Sequence, residues 1–163
     1  MKLKNETLSK NFLIYGFGKS GISSLKYLKK KNRCFIFDDD KKKIKNNYKK
    51  FLISKSKLLN NNFDYIVISP GININRCQLS NYLKKNQKKV ITDFDIFYKF
   101  NPEVLTITIT GTNGKSTTSK LLYDILKKHH YDTRLTGNIG NPILEEKRVT
   151  KNTIFVIEAS SYQ

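Results

Sequence analysis

The chain has 163 residues, enough for one ordinary domain or for one small domain with part of another, and its 38% hydrophobic content suffices for a core. Its charge is lopsided, with 31 Lys and Arg against 13 Asp and Glu and a formal net charge of +18. That balance invites a nucleic-acid reading. The reading is set aside because only four of the 31 are Arg, and the lysines are scattered beside Asn and Ile instead of forming one basic stripe with aromatic partners. A compositional drift, of the kind an AT-rich genome writes, accounts for most of the charge as solvated surface, including the runs Lys29 to Lys31 and Lys41 to Lys43. Cys34 and Cys77 make neither a metal cluster nor a disulfide framework and read as buried thiols of a reducing compartment. The sequence shows no signal peptide and no run near the length of a membrane span, so a soluble, cytoplasmic protein is expected.

In chain order, Asn11 to Tyr15 is a short apolar strand, followed by Gly16-Phe17-Gly18-Lys19-Ser20-Gly21 and a helical pattern with Ile22, Leu25 and Leu28 on one face. Arg33 to Phe37 predicts a second strand, ending in Asp38-Asp39-Asp40. Phe51 to Ser54 is a further candidate strand, Tyr65 to Ile68 a strongly apolar one, and Val90 to Thr92 another before a helix over Asp93 to Phe100. Strands alternating with short helices predict an α/β fold with a doubly wound parallel sheet. Asn101-Pro102-Glu103 breaks the pattern, because proline disfavours helix through itself and through the residue before it. A domain boundary is therefore expected there, dividing a Rossmann-like domain, 1–101, from the start of a P-loop α/β domain, 102–163. Beyond it come a strand over Val104 to Ile109, a loop, a helix to about His129, a segment Asp132 to Thr136, a turn Gly137 to Pro142, and a strand Thr153 to Ile157.

The loop Thr110-Gly111-Thr112-Asn113-Gly114-Lys115-Ser116-Thr117 lies between a β-branched strand and a helix. Backbone N–H groups of such a Gly-rich turn wrap phosphate oxygens, and the helix N-terminus adds partial positive charge. Lys115 reaches the β/γ-phosphates and Ser116 offers a hydroxyl to Mg²⁺. The loop is shorter than the standard pattern, since the position six before the lysine is Ile109, inside the strand. Earlier in the chain, Gly16-x-Gly18-x-x-Gly21 with Asp38 beyond it satisfies a dinucleotide fingerprint. The same geometry binds any diphosphate at a helix N-terminus, so the fingerprint leaves NAD and a nucleotide-linked sugar both open. A diphosphate cradle in one segment with an ATP loop in the next points to phosphoryl transfer onto a nucleotide-linked substrate.

Gly111 to Thr117 resembles the ATP loop of the Mur ligases. Gly137-Asn138-Ile139-Gly140-x-Pro142 and Glu158-Ala159-Ser160-Ser161-Tyr162-Gln163 resemble the D-glutamate-adding branch of that family, as does Ser69-Pro70-Gly71-Ile72 after its apolar strand. The resemblance runs from about Asn11 to the last residue. It implies an ATP- and Mg²⁺-dependent amide ligase of peptidoglycan synthesis, monomeric when full length, that phosphorylates UDP-N-acetylmuramoyl-L-alanine and joins it to D-glutamate. It also implies three domains, of which only the first and the opening of the second are expected here, so the chain reads as an inactive N-terminal fragment. Carried over by motif, Gly111, Thr112, Asn113, Gly114, Lys115, Ser116 and Thr117 would bind ATP, with Lys115 also catalytic. Ser116 and Glu158 would bind Mg²⁺, and Asn138 would touch the UDP-sugar. Gly18, Lys19 and Ser20 would sit at the diphosphate, Asp38 and Asp39 near the uridine, and Gly71 at the nucleotide end.

Alternatives stay open at several positions. Asn138 between glycines also suits a left-handed turn, and Asp38 could cap a following helix. His129 and His130 read as helix-terminal polar residues. At the level of function, another Mur-type or folate-type ligase, or a nucleotide-binding regulatory module, competes with the leading reading.

Overall fold

The computed structural model describes residues 9–40, 42 and 44–159, so Ser160-Ser161-Tyr162-Gln163, Lys41 and Lys43 lie outside the described residues. The chain divides into two compact units, Met1–Asp93 and Phe94–Gln163.

The first unit carries four parallel strands, β1 (Asn11–Tyr15), β2 (Arg33–Phe37), β3 (Tyr65–Ile68) and β4 (Val90–Ile91), in the order β2-β1-β3-β4. The central strand β1 pairs Leu13 with Phe35 on one side and with Ile66 on the other. Buried on both faces, β1 and β3 have nearly continuous apolar runs in place of an alternation. On one face Leu13 and Tyr15 join Phe37, Phe63, Ile66, Leu79 and Leu83 in a core, with Leu58 from the short helix α2 (Lys55–Leu59). Helix α1 (Lys19–Leu28) buries Leu25 and Leu28 together with the small residues Gly21, Ser23 and Ser24.

The candidate strand Phe51 to Ser54 is not formed. Phe51 ends a 3₁₀ helix (Asn46–Phe51), Leu52 makes a single parallel bridge to Ile36, and Ser54 already N-caps α2 through its hydroxyl on the Lys57 amide. Leu52 and Ile53, in the middle of the run, therefore serve a turn packed against β2 and do not extend the sheet. Helix α3 (Ser80–Lys85) also forms where no periodicity announced it, because it is too short to show a 3.6-residue repeat.

The second unit opens within helix α4 (Asp93–Phe100), whose first residue, Asp93, belongs to the first unit. It therefore begins ahead of the Asn101-Pro102 break, because Phe97 is buried against Phe155, ring centroids 4.7 Å apart, in a core shared with Ile143 and Ile157. Its sheet has three parallel strands, β5 (Leu105–Ile109), β6 (Thr133–Gly137) and β7 (Ile154–Glu158), in the order β5-β7-β6. All five residues of the middle strand β7 are buried. Helix α5 (Lys115–Lys128) packs along β6 and β7, and ends with His130 in the left-handed region at φ 64° and the Tyr131 amide on the Leu126 carbonyl. Leu105, Leu121 and Ile125 remain exposed on this unit.

Candidate functional site

In the first unit, strand order makes β1 the switch strand. The chain leaves it for β2 on one side and later adds β3 on the other, so the loops following β1 and β3 part above the sheet's carboxyl edge, where open α/β sheets bind ligands. The three glycines of the first loop have three different jobs. Gly16, at φ 87°, turns the chain so tightly that a Cβ there would lie 2.9 Å from the Ser69 Cβ. A Cβ on Gly21 would lie 2.1 Å from the Gly16 carbonyl oxygen, which fixes how closely α1 approaches the turn. Gly18, at the N-cap of α1, has nothing within 4 Å of where its Cβ would stand. The open space and the exposed helix N-terminus leave room for a phosphate at the main chain, with Lys19 and Ser20 in the first turn.

Ser69, at the end of β3, locks the two loops together: its hydroxyl donates to the Gly16 carbonyl at 2.6 Å and its amide to the Tyr15 carbonyl at 2.9 Å. Gly71 follows, exposed and unobstructed. Asp38 does not cap a helix. One of its carboxylate oxygens accepts the Phe17 amide at 2.6 Å and the other the Asp40 amide at 2.8 Å, so the acid at the end of β2 pins the loop that follows β1. Asp39 accepts the Tyr15 hydroxyl at 2.8 Å. Tyr15 is fully buried, and burial, helped by its hydrogen bonds to Cys77 and Asp39, holds its hydroxyl protonated far above the ordinary tyrosine range.

In the second unit the three strands end level. Register sets Ile109, Glu158 and Gly137 side by side at the carboxyl edge. From that edge leave the loop Thr110 to Gly114 and the turn Asn138 to Pro142. Gly111 (φ 147°) and Gly114 (φ 75°) take conformations that side chains disfavour, which turns the chain directly into α5. Lys115, the first residue of α5, reaches back over the loop and donates to the carbonyls of Gly111 at 2.6 Å and Thr112 at 3.2 Å. The backbone of the loop, Ser116 and Thr117 are exposed.

Glu158 is 4% exposed, and its Oε2 has no hydrogen-bond partner among the described residues. A buried carboxylate oxygen left unpaired is costly unless a cation or donor completes it. Set in the strand beside β5, which leads into the glycine loop Thr110 to Gly114, it fits a hard divalent cation, which takes oxygen ligands. No group of three or more His, Cys, Asp or Glu is placed to hold a metal on its own among the described residues. Asn138 is exposed, and its amide donates to the Glu158 carbonyl at 3.0 Å. It is not left-handed: the positive φ values of this turn belong to Gly137 and Gly140. His129 and His130 lie at the far end of α5, exposed, as its terminal residues.

Sequence reading overlooked Ser69 as the link to Gly16, 53 residues away, and the partners Arg134, Asn141 and Glu146 around the second turn. Nothing local signals either set. No helix of the described residues is long and apolar enough to cross a membrane.

Comparison with known proteins follows the same division. Residues 10–92 match the model of the Mur ligase MurD-like N-terminal domain, and residues 109–163 that of the Mur ligase middle domain. The UDP-N-acetylmuramoylalanine–D-glutamate ligase of Caldicellulosiruptor bescii is 36% identical over 94% of this chain and 36% of its own length. The ligase of the same name from Rickettsia bellii is 34% identical over 94% of the chain and 34% of its own length. The chain thus spans about a third of the length of these relatives. Among solved structures, the Neisseria UDP-N-acetylmuramate:L-alanyl-gamma-D-glutamyl-meso-diaminopimelate ligase aligns with 96% of the chain and 56% of its own at a TM-score of 0.51 and 13% identity, a likeness of fold. With one family model covering half of the chain and a second covering most of the rest, the protein belongs to the Mur ligase family.

Proposed function

We propose that this chain is the portion of a cytoplasmic UDP-N-acetylmuramoyl-L-alanine:D-glutamate ligase, MurD, that binds the UDP-linked substrate and ATP. The observation that carries the reading is the level carboxyl edge of the second sheet. There a buried, incompletely satisfied Glu158 stands between the strand that feeds the phosphate loop and the turn that presents Asn138. The relatives named for D-glutamate ligation supply the substrate class.

In the proposed reaction the terminal carboxylate of UDP-N-acetylmuramoyl-L-alanine attacks the γ-phosphorus of ATP and ADP leaves. The amine of D-glutamate then attacks the acyl carbon of the resulting acyl phosphate, releasing phosphate and a proton as the amide forms. Little covalent work falls to the protein, so alignment and charge neutralisation dominate. The amides of Gly111 to Gly114 hold phosphate oxygens, with Thr112, Asn113 and Thr117 lining the loop, and Lys115 trades its loop carbonyls for the β/γ-phosphates. Ser116 and Glu158 hold Mg²⁺, which supplies positive charge to the phosphates. Asn138 contacts the UDP-sugar. In the first unit Gly18, Lys19 and Ser20 take the diphosphate, Gly71 borders the nucleotide end, and Asp38 and Asp39 edge the uridine, Asp38 also pinning the loop. The intact enzyme is proposed to act as a monomer on small molecules, with a domain boundary between 93 and 102.

Calorimetry with UDP-N-acetylmuramoyl-L-alanine and with NAD tests the reading. The sugar nucleotide should bind and NAD should not. Gly18→Val should fold, since nothing lies within 4 Å of where its Cβ would stand, yet lose the ligand because the branch occupies the phosphate's approach. Tight NAD binding without sugar-nucleotide binding would overturn the ligase reading in favour of a nucleotide-sensing module.

A further inference from the structure

The turn that carries Asn138 is anchored from below by a charged clamp. Glu146 divides its carboxylate between two tasks: Oε1 accepts the Asn141 side-chain amide at 3.1 Å, and Oε2 pairs with the Arg134 Nε at 3.2 Å. Arg134 is itself fixed, donating to the Asp132 carboxylate and, at 3.2 Å, to the Thr133 carbonyl. The Arg134 and Glu146 side chains are only 21% and 9% exposed. This pair is therefore drier than the surface ion pairs whose net contribution is near zero, and losing Glu146 leaves the Arg134 Nε without this carboxylate while its contact with Asp132 remains.

Both ends of the turn are held by main chain as well. The Asn138 amide reaches the Glu158 carbonyl, and the Asn141 amide reaches the Leu135 carbonyl at 3.1 Å. Between them, Gly137 and Gly140 lie so close to the sheet that a Cβ on either would fall about 2 Å from a backbone oxygen, 2.1 Å from Glu158 O and 2.0 Å from Leu135 O. Backbone packing thus fixes both ends of the turn against the sheet. At its exit the Asn141 side chain is held in addition by Glu146.

We propose that Glu146 and Arg134 are positioning residues, which hold the Asn138 turn in the one geometry that presents its side chain to the sugar-nucleotide substrate. The inference rests on the assignment of Asn138 to that substrate. Neither residue touches the ligand. Their contribution is to keep a short, glycine-hinged turn from sampling other shapes, so that substrate binding does not have to order it.

Two readouts on the whole chain test this with Glu146→Gln and Arg134→Lys. Glu146→Gln keeps the size of the side chain and can still accept one hydrogen bond, but it no longer carries the charge that pairs with Arg134. Amide exchange at Asn138 and Asn141 should accelerate about tenfold, as expected for a lost charge-assisted hydrogen bond, while Val156 and Ile157 in β7 stay protected. Affinity for UDP-N-acetylmuramoyl-L-alanine should fall by a similar factor, and affinity for ATP with Mg²⁺ should not change. Arg134→Lys, which keeps the charge and loses the planar fork, should lie between.

Unchanged exchange at Asn138 and Asn141 in Glu146→Gln would overturn the proposal. So would equal acceleration at Val156, which would mark a general loosening, or faster exchange with undiminished sugar-nucleotide affinity. A wild-type chain that binds no sugar nucleotide would sink the assignment of Asn138 itself, and the clamp's purpose with it, whatever the exchange rates.

Discussion

The carboxylate of Asp38, at the end of β2, accepts the main-chain amide of Phe17, in the loop after β1, at 2.6 Å. The acid that a dinucleotide fingerprint would assign to a ribose hydroxyl is thus bound to the backbone of the glycine loop itself. Its second oxygen is taken by the Asp40 amide. The same side chain therefore sets where the loop between Gly16 and Gly18 stands.

Removing that clamp should cost stability before it costs any ligand contact. Asp38→Ala loses two charge-assisted bonds to backbone amides and should destabilise the first unit by about 1.5–3 kcal/mol. Asp38→Asn, which keeps one acceptor oxygen, should lose about half as much. Urea unfolding followed by a probe of the first unit is the measurement, and an unchanged midpoint in Asp38→Ala would show that the bond contributes nothing to holding the loop.

Two glycines should respond very differently to a single methyl group. At Gly137 an added Cβ meets the Glu158 carbonyl oxygen at 2.1 Å, and that backbone atom, at the end of the middle strand and already accepting the Asn138 amide, cannot easily step aside. At Gly114 it meets nothing within 4 Å, leaving only the left-handed conformation at φ 75° to oppose it. Gly114→Ala should cost roughly 1–2 kcal/mol, and Gly137→Ala should cost clearly more, on the order of 3 kcal/mol or beyond, as a strained site with an unrelieved clash. Thermal denaturation of the two variants side by side checks the order; equal losses would mean that the turn is not pinned to β7.

How much of this was legible beforehand depends on how locally each feature is encoded. Asn11 to Tyr15, Tyr65 to Ile68 and Val104 to Ile109 were readable as strands because apolar and β-branched runs of that length have few other uses, and the structure forms the third from Leu105 to Ile109. The loop Gly111 to Ser116 was readable because its chemistry is contiguous. Leu52 and Ile53 were misread, since the same apolar pair can bury itself from a turn after a 3₁₀ helix as well as from a strand. The unit boundary was placed at the proline, whereas the packing of Phe97 on Phe155 decides to which core α4 belongs. The Asp38–Phe17 bond joins residues 21 apart and the Ser69–Gly16 bond joins residues 53 apart, and neither separation leaves a mark in sequence.

One carboxylate should report acidification of the second unit. Asp132 is held below its ordinary value, first by the hydrogen bond from the Thr153 hydroxyl at 2.6 Å, which outweighs the opposing effect of burial, and then by the neighbouring Arg134 and Lys127. A depressed folded-state pKa contributes stability that is present above the unfolded value, near 4, and is lost as the pH falls through the lower folded value. Thr153→Val removes the leading cause, so the Asp132 carboxyl should titrate closer to its ordinary value and the acid-side loss of stability should begin at higher pH. Carboxyl-carbon NMR titration of Asp132 measures the shift directly, and identical curves in both proteins would remove Thr153 from the account.

The central claim is that the edge formed by Ile109, Glu158 and Gly137, with its loop to α5, holds ATP and Mg²⁺. The most direct measurement is calorimetric titration of the chain with ATP across a series of Mg²⁺ concentrations, for wild type, Lys115→Ala and Glu158→Gln. The account predicts that wild type binds, that Lys115→Ala loses about tenfold or more of its affinity with the charge-assisted contact to the phosphates, and that Glu158→Gln needs more Mg²⁺ to reach the same affinity. No binding by wild type, or titrations that neither substitution changes, would contradict it.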